Sequence, residues 1–317
     1  MTVRVYRSTD GSAPVLTGQA GALTTLLDAV LVNGYGAKSA AGWTKPYSGT
    51  NKAVYRNNSA TGTGSYLRVD DNVTSYFHRA YVTGYEAMTG VDTGTNSFPS
   101  SFNYTAWGKS ATQDATARPW VIVADEFRFY IFIRTSENGS DWANGFFGDI
   151  ISYKSPDPYR AMLACRYSTS GVSALNYQYD ELAYTFSHSL GFNTYWPRSM
   201  PRDHTGAGNP RAVGIHTDAY KALAPSSSSS GAFWVGSLGM PYPAAVNNGI
   251  FIAPMWVHHP PGIVRGHLPG LWAPMHNRGP ADGDTFSGTG ALAGKTFEVF
   301  NVYSLGQLVV ETSDTWS

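Results

Sequence analysis

Trp120-Val121-Ile122-Val123-Ala124-Asp125-Glu126-Phe127-Arg128-Phe129-Tyr130-Ile131-Phe132-Ile133-Arg134 decides how this chain folds. Arg118-Pro119 opens a β-branched run, Ala124-Asp125-Glu126 supplies a turn, and Phe127 to Arg134 returns, which reads as a β-hairpin. A strand with one wet face alternates apolar and polar residues. The return strand is apolar at nearly every position, so both of its faces should be covered by other layers.

Working outward, Phe146 to Tyr153 reads as the next strand, with Gly148 as a bulge. Ser155-Pro156-Asp157-Pro158 breaks it, and Tyr159 to Tyr167 follows as a strand or short helix. Near the end, Thr296 to Tyr303 and Gln307 to Glu311 flank Ser304-Leu305-Gly306, a second hairpin with alternating faces. Upstream, one helix is predicted over Gly21 to Val32. There Leu23, Leu26, Leu27, Val30 and Leu31 recur at three- and four-residue spacing and form a single apolar face. Asp28 should point to solvent, and Asn33-Gly34 should stop the helix. The first seventy residues read as one unit of strand, turn, helix, loop and hairpin. The fold class is therefore mainly β with one N-terminal helix, in a β-sandwich-like or mixed-sheet body with long loops.

The chain has 317 residues, enough to bury a sizeable core. A single β-rich body over 1–317 is expected. The alternative is a split into an α+β part (1–112) and a β-rich part (113–317) that holds a flexible Ser-rich loop at 225–231. Gly- and Pro-dense loops should cover 257–290. No repeat of fixed period is present.

Only 14% of residues are charged, against 14% aromatic with 20 Tyr and 9 Trp. Such a surface is polar without being ionic, and is cheaper to desolvate against a neighbouring subunit than a charged one. Lys plus Arg and Asp plus Glu number 22 each, so the formal net charge is zero. No long-range field steers the chain toward nucleic acid or an anionic membrane, and the basic residues are scattered singly. Cys165 is the one cysteine, which excludes a disulfide framework; its apolar neighbours predict a buried thiol. The sequence shows no secretion-signal plan and no apolar run of membrane-spanning length. A cytoplasmic product is expected.

Sites of chemistry are sparse. His258, His259, His267 and His276 are the densest histidines, but their spacing matches no zinc pattern, and a packed Pro/Gly-braced loop accounts for them as well. Sugar hydrolysis needs two facing carboxylates. Asp125, Glu126, Asp149, Asp180 and Glu181 lie near apolar strands, where turn and rim positions explain them. Ser187-His188-Ser189 is not triad geometry, and no G-x-S-x-G elbow appears. Thr61-Gly62-Thr63-Gly64-Ser65 lacks the lysine of a phosphate loop and should be a turn entering a strand at Tyr66. Tyr177, Tyr179, Tyr184, Tyr195 and Trp196 form an aromatic cluster suited to a glycan, a subunit interface or the core. No cofactor and no catalytic residue is expected.

The first seventy residues, from Val3-Arg4-Val5-Tyr6 through Ala41-Gly42-Trp43 to Tyr66-Leu67-Arg68-Val69, resemble the amino-terminal block of tailed-bacteriophage virion structural proteins. The similarity recurs in Arg118 to Arg134, Phe147-Gly148-Asp149-Ile150 and Ile263 to Trp272. It implies a non-enzymatic tail or baseplate component, present in several copies and contacting other virion proteins and copies of itself. The alternatives are a host-surface glycan-binding module using the 175–197 aromatics, and a capsid decoration or head-fibre protein.

Overall fold

The computed structural model describes residues 2–72, 79–99, 105–136, 142–167, 198–212, 214–216, 242–244, 248–259, 263–276, 279–302 and 306–316. The chain begins with β1 (Arg4–Arg7), then helix α1 (Ala22–Leu27), which continues as a π-helical segment (Asp28–Asn33). Next come β2 (Thr44–Gly49), β3 (Lys52–Arg56), β4 (Tyr66–Asp70), β5 (Arg79–Gly90), β6 (Thr93–Phe98) and β7 (Thr105–Gly108). The middle of the chain forms β8 (Trp120–Ala124), β9 (Arg128–Ile133), β10 (Ala143–Asp149), β11 (Ile151–Ser152), β12 (Ala161–Ala164) and β13 (Arg166–Tyr167). The last third holds β14 (Arg198–Arg202), β15 (Gly208–Ala212), β16 (Gly214–His216), β17 (Ile252–His259) and β18 (Ile263–Pro274). It closes with β19 (Thr285–Ser287), β20 (Thr296–Val302) and β21 (Gly306–Glu311).

These strands make three antiparallel sheets. The central sheet runs β1-β8-β9-β10-β12-β14-β15. A second runs β16-β17-β18-β21-β20-β19, with β11 added on β18. A third runs β13-β7-β5-β4-β3-β2, with β6 added on β5. The predicted hairpin is β8–β9, in register from Trp120↔Ile133 to Ala124↔Phe129.

The double apolar pattern of β9 now has its cause. Phe129, Ile131 and Ile133 enter a core shared with the third sheet, alongside Tyr55, Leu67, Val82 and Trp107. Tyr130 and Phe132 enter another core shared with the second sheet, alongside Met255, Leu268, Phe300 and Val310. Ile122 and Phe147 face the first core, Val121 and Phe146 the other. The central sheet is thus the middle layer of a three-layer stack. Each fully buried Leu, Ile or Phe contributes about 1.5–3 kcal/mol, before the entropy of ordering it is subtracted. Leu23, Leu26, Leu27, Val30 and Leu31 all enter the core beside the third sheet, so the predicted helix face is correct. Gly34 ends the helix at φ 78°.

Several expectations need correction. The first seventy residues are not one unit: β1 pairs with β8 in the central sheet, while β2 to β4 belong to the third. That pairing and the β7–β13 pairing both join segments on either side of residue 112. Asp28 does not project freely into solvent, because Lys45 pairs with it at 2.6 Å and the Tyr55 hydroxyl donates to it at 2.9 Å. Gly148 is not a bulge. It pairs in register with Arg128 and Met162, but at φ 134°, where a Cβ would lie 2.2 Å from the Phe127 carbonyl oxygen. Two residues later, at Ile150, the chain leaves the central sheet for β11 in the second.

The segment expected as loops over 257–290 contains much of the β17–β18 hairpin. Pro254 and Pro269 are tolerated because both sit at the register shift between the pairs Pro254↔Trp272 and Met255↔Leu268. The alternation in β20–β21 is real, but both faces are covered. Phe300, Val302, Leu308 and Val310 face the central sheet; Phe297, Val299 and Val309 pack with Ile252, Trp272 and Phe286. Residues 159–167 resolve into strands β12 and β13, separated by Cys165, whose thiol is buried. Burial also pushes that thiol's pKa well up, which makes it a poor nucleophile. The Ser-rich stretch at 225–231 lies outside the described residues. Among the described residues no helix is long and apolar enough to cross a membrane.

Candidate functional site

A cleft of about 520 Å³ opens between the start of α1 and the β2–β3 hairpin. Its walls carry Thr25, Asp28, Lys45, Ser48, Asn51 and Lys52. The hairpin places Lys45 opposite Asp28, 2.6 Å away, and Lys52 reaches Asp70 at 3.2 Å and Asp92 at 3.3 Å. The lysine charges are thus matched locally by carboxylates. Beneath the cleft, Tyr55 donates to Asp28; burial and that neighbouring carboxylate hold the phenol well above its ordinary pKa. The cleft can exchange hydrogen bonds with a polar neighbour, but no aromatic ring lines it among the described residues.

The carboxylates considered for sugar chemistry occupy other environments than expected. Asp149 is not at a rim. It is fully buried and accepts hydrogen bonds from Asn57 Nδ2 (2.9 Å), the Thr63 amide (2.9 Å) and Thr63 Oγ1 (2.5 Å), with Arg160 Nε at 3.2 Å. The Thr61–Ser65 turn does lead into the strand at Tyr66, and this network pins it to the end of β10. Asp125 lies in the β8–β9 turn as expected, but buried. Its Oδ1 accepts the amides of Phe127 (2.7 Å) and Arg128 (2.9 Å). Burial raises its pKa, partly offset by Arg128. Asp149 ties distant segments together and Asp125 closes its own turn, and neither lines the cleft. Asp180, Glu181 and Ser187 to Ser189 lie outside the described residues.

The three histidines whose side chains are described, His258, His267 and His276, have different neighbours. His267 on β18 packs against the Tyr153 ring at 5.6 Å, and His258 is buried on β17. His276 accepts the Phe251 amide at Nε2 (2.7 Å) and meets the Tyr242 ring edge-on at 5.6 Å. The side chain of His259 lies outside the described residues. Among those described, no group of three His, Cys, Asp or Glu side chains is placed to share a metal ion.

Sequence reasoning missed two buried ion pairs. Arg265 donates Nε and Nη2 to the two oxygens of Asp157, at 2.8 and 2.7 Å, and joins the Pro-Asp-Pro break to β18. Both side chains are 1% exposed. Burial opposes the charge on Asp157, but hydrogen bonds from Arg265 and Ser152 overcome it and hold the carboxyl below its ordinary pKa. The other pair is Asp71 with Lys109, again 1% exposed on each side. Here burial prevails: it raises Asp71 and lowers Lys109, each partly offset by the other's charge. A lone Arg265 inside an apolar strand was the one readable signal; nothing local marks Asp71 or Lys109.

Apolar side chains remain exposed near both histidine environments: Ile151, Tyr153 and Val264 on β11–β18, and Tyr242 and Phe251 beside His276. The aromatic cluster Tyr177, Tyr179, Tyr184, Tyr195 and Trp196 lies outside the described residues. No family model matches this chain, and no curated protein matches it.

Proposed function

We propose that this protein is a structural component of a tailed-phage virion, of tail or baseplate type, which assembles with copies of itself and with other virion proteins. The observation that carries the reading is where the resembling segments fall. Arg118–Arg134 supplies the middle of the central sheet and Ile263–Trp272 supplies β18, which joins β17 to β21. Both are scaffold, and the carboxylates nearest them, Asp125, Asp149 and Asp157, act as internal clamps. The exposed Tyr153, Tyr242 and Phe251, on a chain of zero net charge, suit contact with a neutral neighbouring subunit. The proposal gives the protein no catalytic role, cofactor, nucleic-acid contact or membrane insertion.

Immunogold labelling of intact particles with an antibody against this chain is the test, together with mass spectrometry of their protein inventory. Label at the tail end is expected. Label over the head would move the assignment to a decoration or head-fibre protein. Absence from both label and inventory would overturn the virion reading. Binding of the isolated protein to cell-surface glycan, lost on substituting Tyr177 and Tyr179, would favour the host-recognition alternative.

A further inference from the structure

We propose that Lys109 and Asp71 condense into an intramolecular isopeptide bond. The inference rests on placement and chemistry and is independent of the virion reading. Asp71 directly follows β4 and Lys109 directly follows β7, the two strands that flank this part of β5. Lys109 Nζ lies in contact with Asp71 Oδ1. Both side chains are 1% exposed. The other described lysine–carboxylate pairs differ: the lysine is 41% exposed in Lys38–Asp10, 29% in Lys45–Asp28, 25% in Lys52–Asp70 and 21% in Lys295–Glu311. Those side chains keep part of their surface in solvent, whereas among these described pairs only the Lys109 side chain is closed off from it.

Condensation needs a neutral amine, a carboxylic acid and little competing water. Burial raises the Asp71 carboxyl and lowers the Lys109 ammonium, so it favours proton transfer within the pair. The contact geometry then supplies the proximity. Well-oriented intramolecular reactions reach effective molarities of about 10⁵–10⁸ M.

The surrounding backbone suits both reactant and product. Asp71 Oδ2 accepts the Leu23 amide at 2.8 Å, a donor placed to stabilise the oxyanion that develops there. Lys109 Nζ also donates to the Gln19 carbonyl oxygen at 2.7 Å. The Nζ lone pair attacks Cγ of protonated Asp71. A second Nζ proton passes to the Oδ1 hydroxyl, the Cγ–Oδ1 bond breaks, and one water leaves. Carboxylic acid plus amine gives amide plus water, with no oxidant or other reactant. The amide oxygen, formerly Oδ2, keeps the Leu23 donor, and the remaining N–H keeps the Gln19 acceptor. No polar group is orphaned by the reaction, whereas the unreacted pair keeps an acid and a base away from water, whichever of them holds the proton. The bond would tie β4 to β7 across β5 and anchor the chain entering α1.

The full-length protein, purified folded and then unfolded in denaturant, is weighed by electrospray mass spectrometry. The expected mass is lower than that of the sequence by one water molecule. Trypsin should fail to cut after Lys109 and should release a branched peptide joining the Asp71 and Lys109 segments. Lys109→Arg, whose guanidinium stays charged, and Asp71→Ala should each restore the full sequence mass. Wild-type protein that keeps the full mass after prolonged incubation in the folded state, with no branched peptide, overturns the proposal. Wild-type mass and branched peptide decide the matter even if neither variant folds.

Discussion

On one face of the central sheet, Phe129, Ile131 and Ile133 meet a helix and the indoles of Trp43 and Trp107; on the other, Tyr130 and Phe132 meet the closing hairpin and Trp316. The first face is covered mainly by chain that precedes the β8–β9 hairpin, the second by chain that follows it. Both solve the same problem, since a large ring brings a polar atom that must be satisfied when buried. Trp43 donates its indole N–H to the Asp125 carbonyl at 2.8 Å and Trp107 to that of Ala164 at 2.9 Å. Across the sheet, the Tyr130 hydroxyl donates to the Pro269 carbonyl at 2.7 Å. Gly145 admits Trp107 against β10, because a Cβ there would lie 2.2 Å from the indole nitrogen.

The sides differ in their buried charge pairs. Asp71–Lys109 serves the helix side, and burial pushes both partners toward neutrality. Asp157–Arg265 serves the second sheet and keeps its charges. A guanidinium cannot shed its proton, and its fork holds both carboxylate oxygens. The first kind of pair can therefore exchange a proton internally and react, while the second keeps its guanidinium and can only be broken or protonated at its carboxylate.

The largest effect should come from the sheet itself. Phe129→Ala and Phe132→Ala empty opposite faces, and each should cost about 3–5 kcal/mol. Denaturant unfolding followed by both fluorescence and circular dichroism tests whether the faces are coupled. One shared transition, lowered by either substitution, is expected. Two transitions, each moved by one substitution, would break the comparison into independent layers.

A comparable loss, about 3 kcal/mol or more, is expected for Asp157→Ala, which leaves Arg265 buried without its carboxylate. The pH dependence carries the sign. The folded pKa of Asp157 lies below its unfolded value of about 3.9, so its contribution is present above that pH and is lost as pH falls through the lowered folded value. Wild type should lose stability there more steeply than Asp157→Ala in an acid titration of unfolding free energy. Parallel curves would remove this pair from the account.

The smallest effect is expected for Tyr130→Phe and Trp43→Phe, which strand one carbonyl on each face at about 1–3 kcal/mol. Trp43→Phe also deletes ring volume and so should cost more. Equal midpoints in urea for both variants would mean that the hydrogen bonds, rather than the packing, set the cost.

Much of this was readable from residues alone. The continuous apolar run in β9 demanded cover on two faces, the leucines of α1 marked the face it buries, and the turn at Ala124 to Glu126 closed the hairpin. The 257–290 region was misread over β17 and β18 because its Pro and Gly content signals loops, whereas Pro269 and Gly270 sit at a register shift within that hairpin. Asp149 was misplaced at a rim, and the burial of Asp125 within its turn was not foreseen, because a carboxylate between apolar strands is usually solvated; here donors from Asn57, Thr63 and local amides surround them.

By itself the sequence determined that this chain is β-rich, that one hairpin is buried on both sides, and where its one clear helix lies. Periodicity is a local property and reports how many faces of an element are dry. Only the tertiary structure decided which strands share a sheet, that β1 leaves its neighbours to pair with β8, and that Asp71 meets Lys109 and Asp157 meets Arg265. Those partners are distant in the chain, and no spacing rule connects them. They are selected by the packing of three layers, which fixes register, removes water from particular pairs and sets the chemistry open to them.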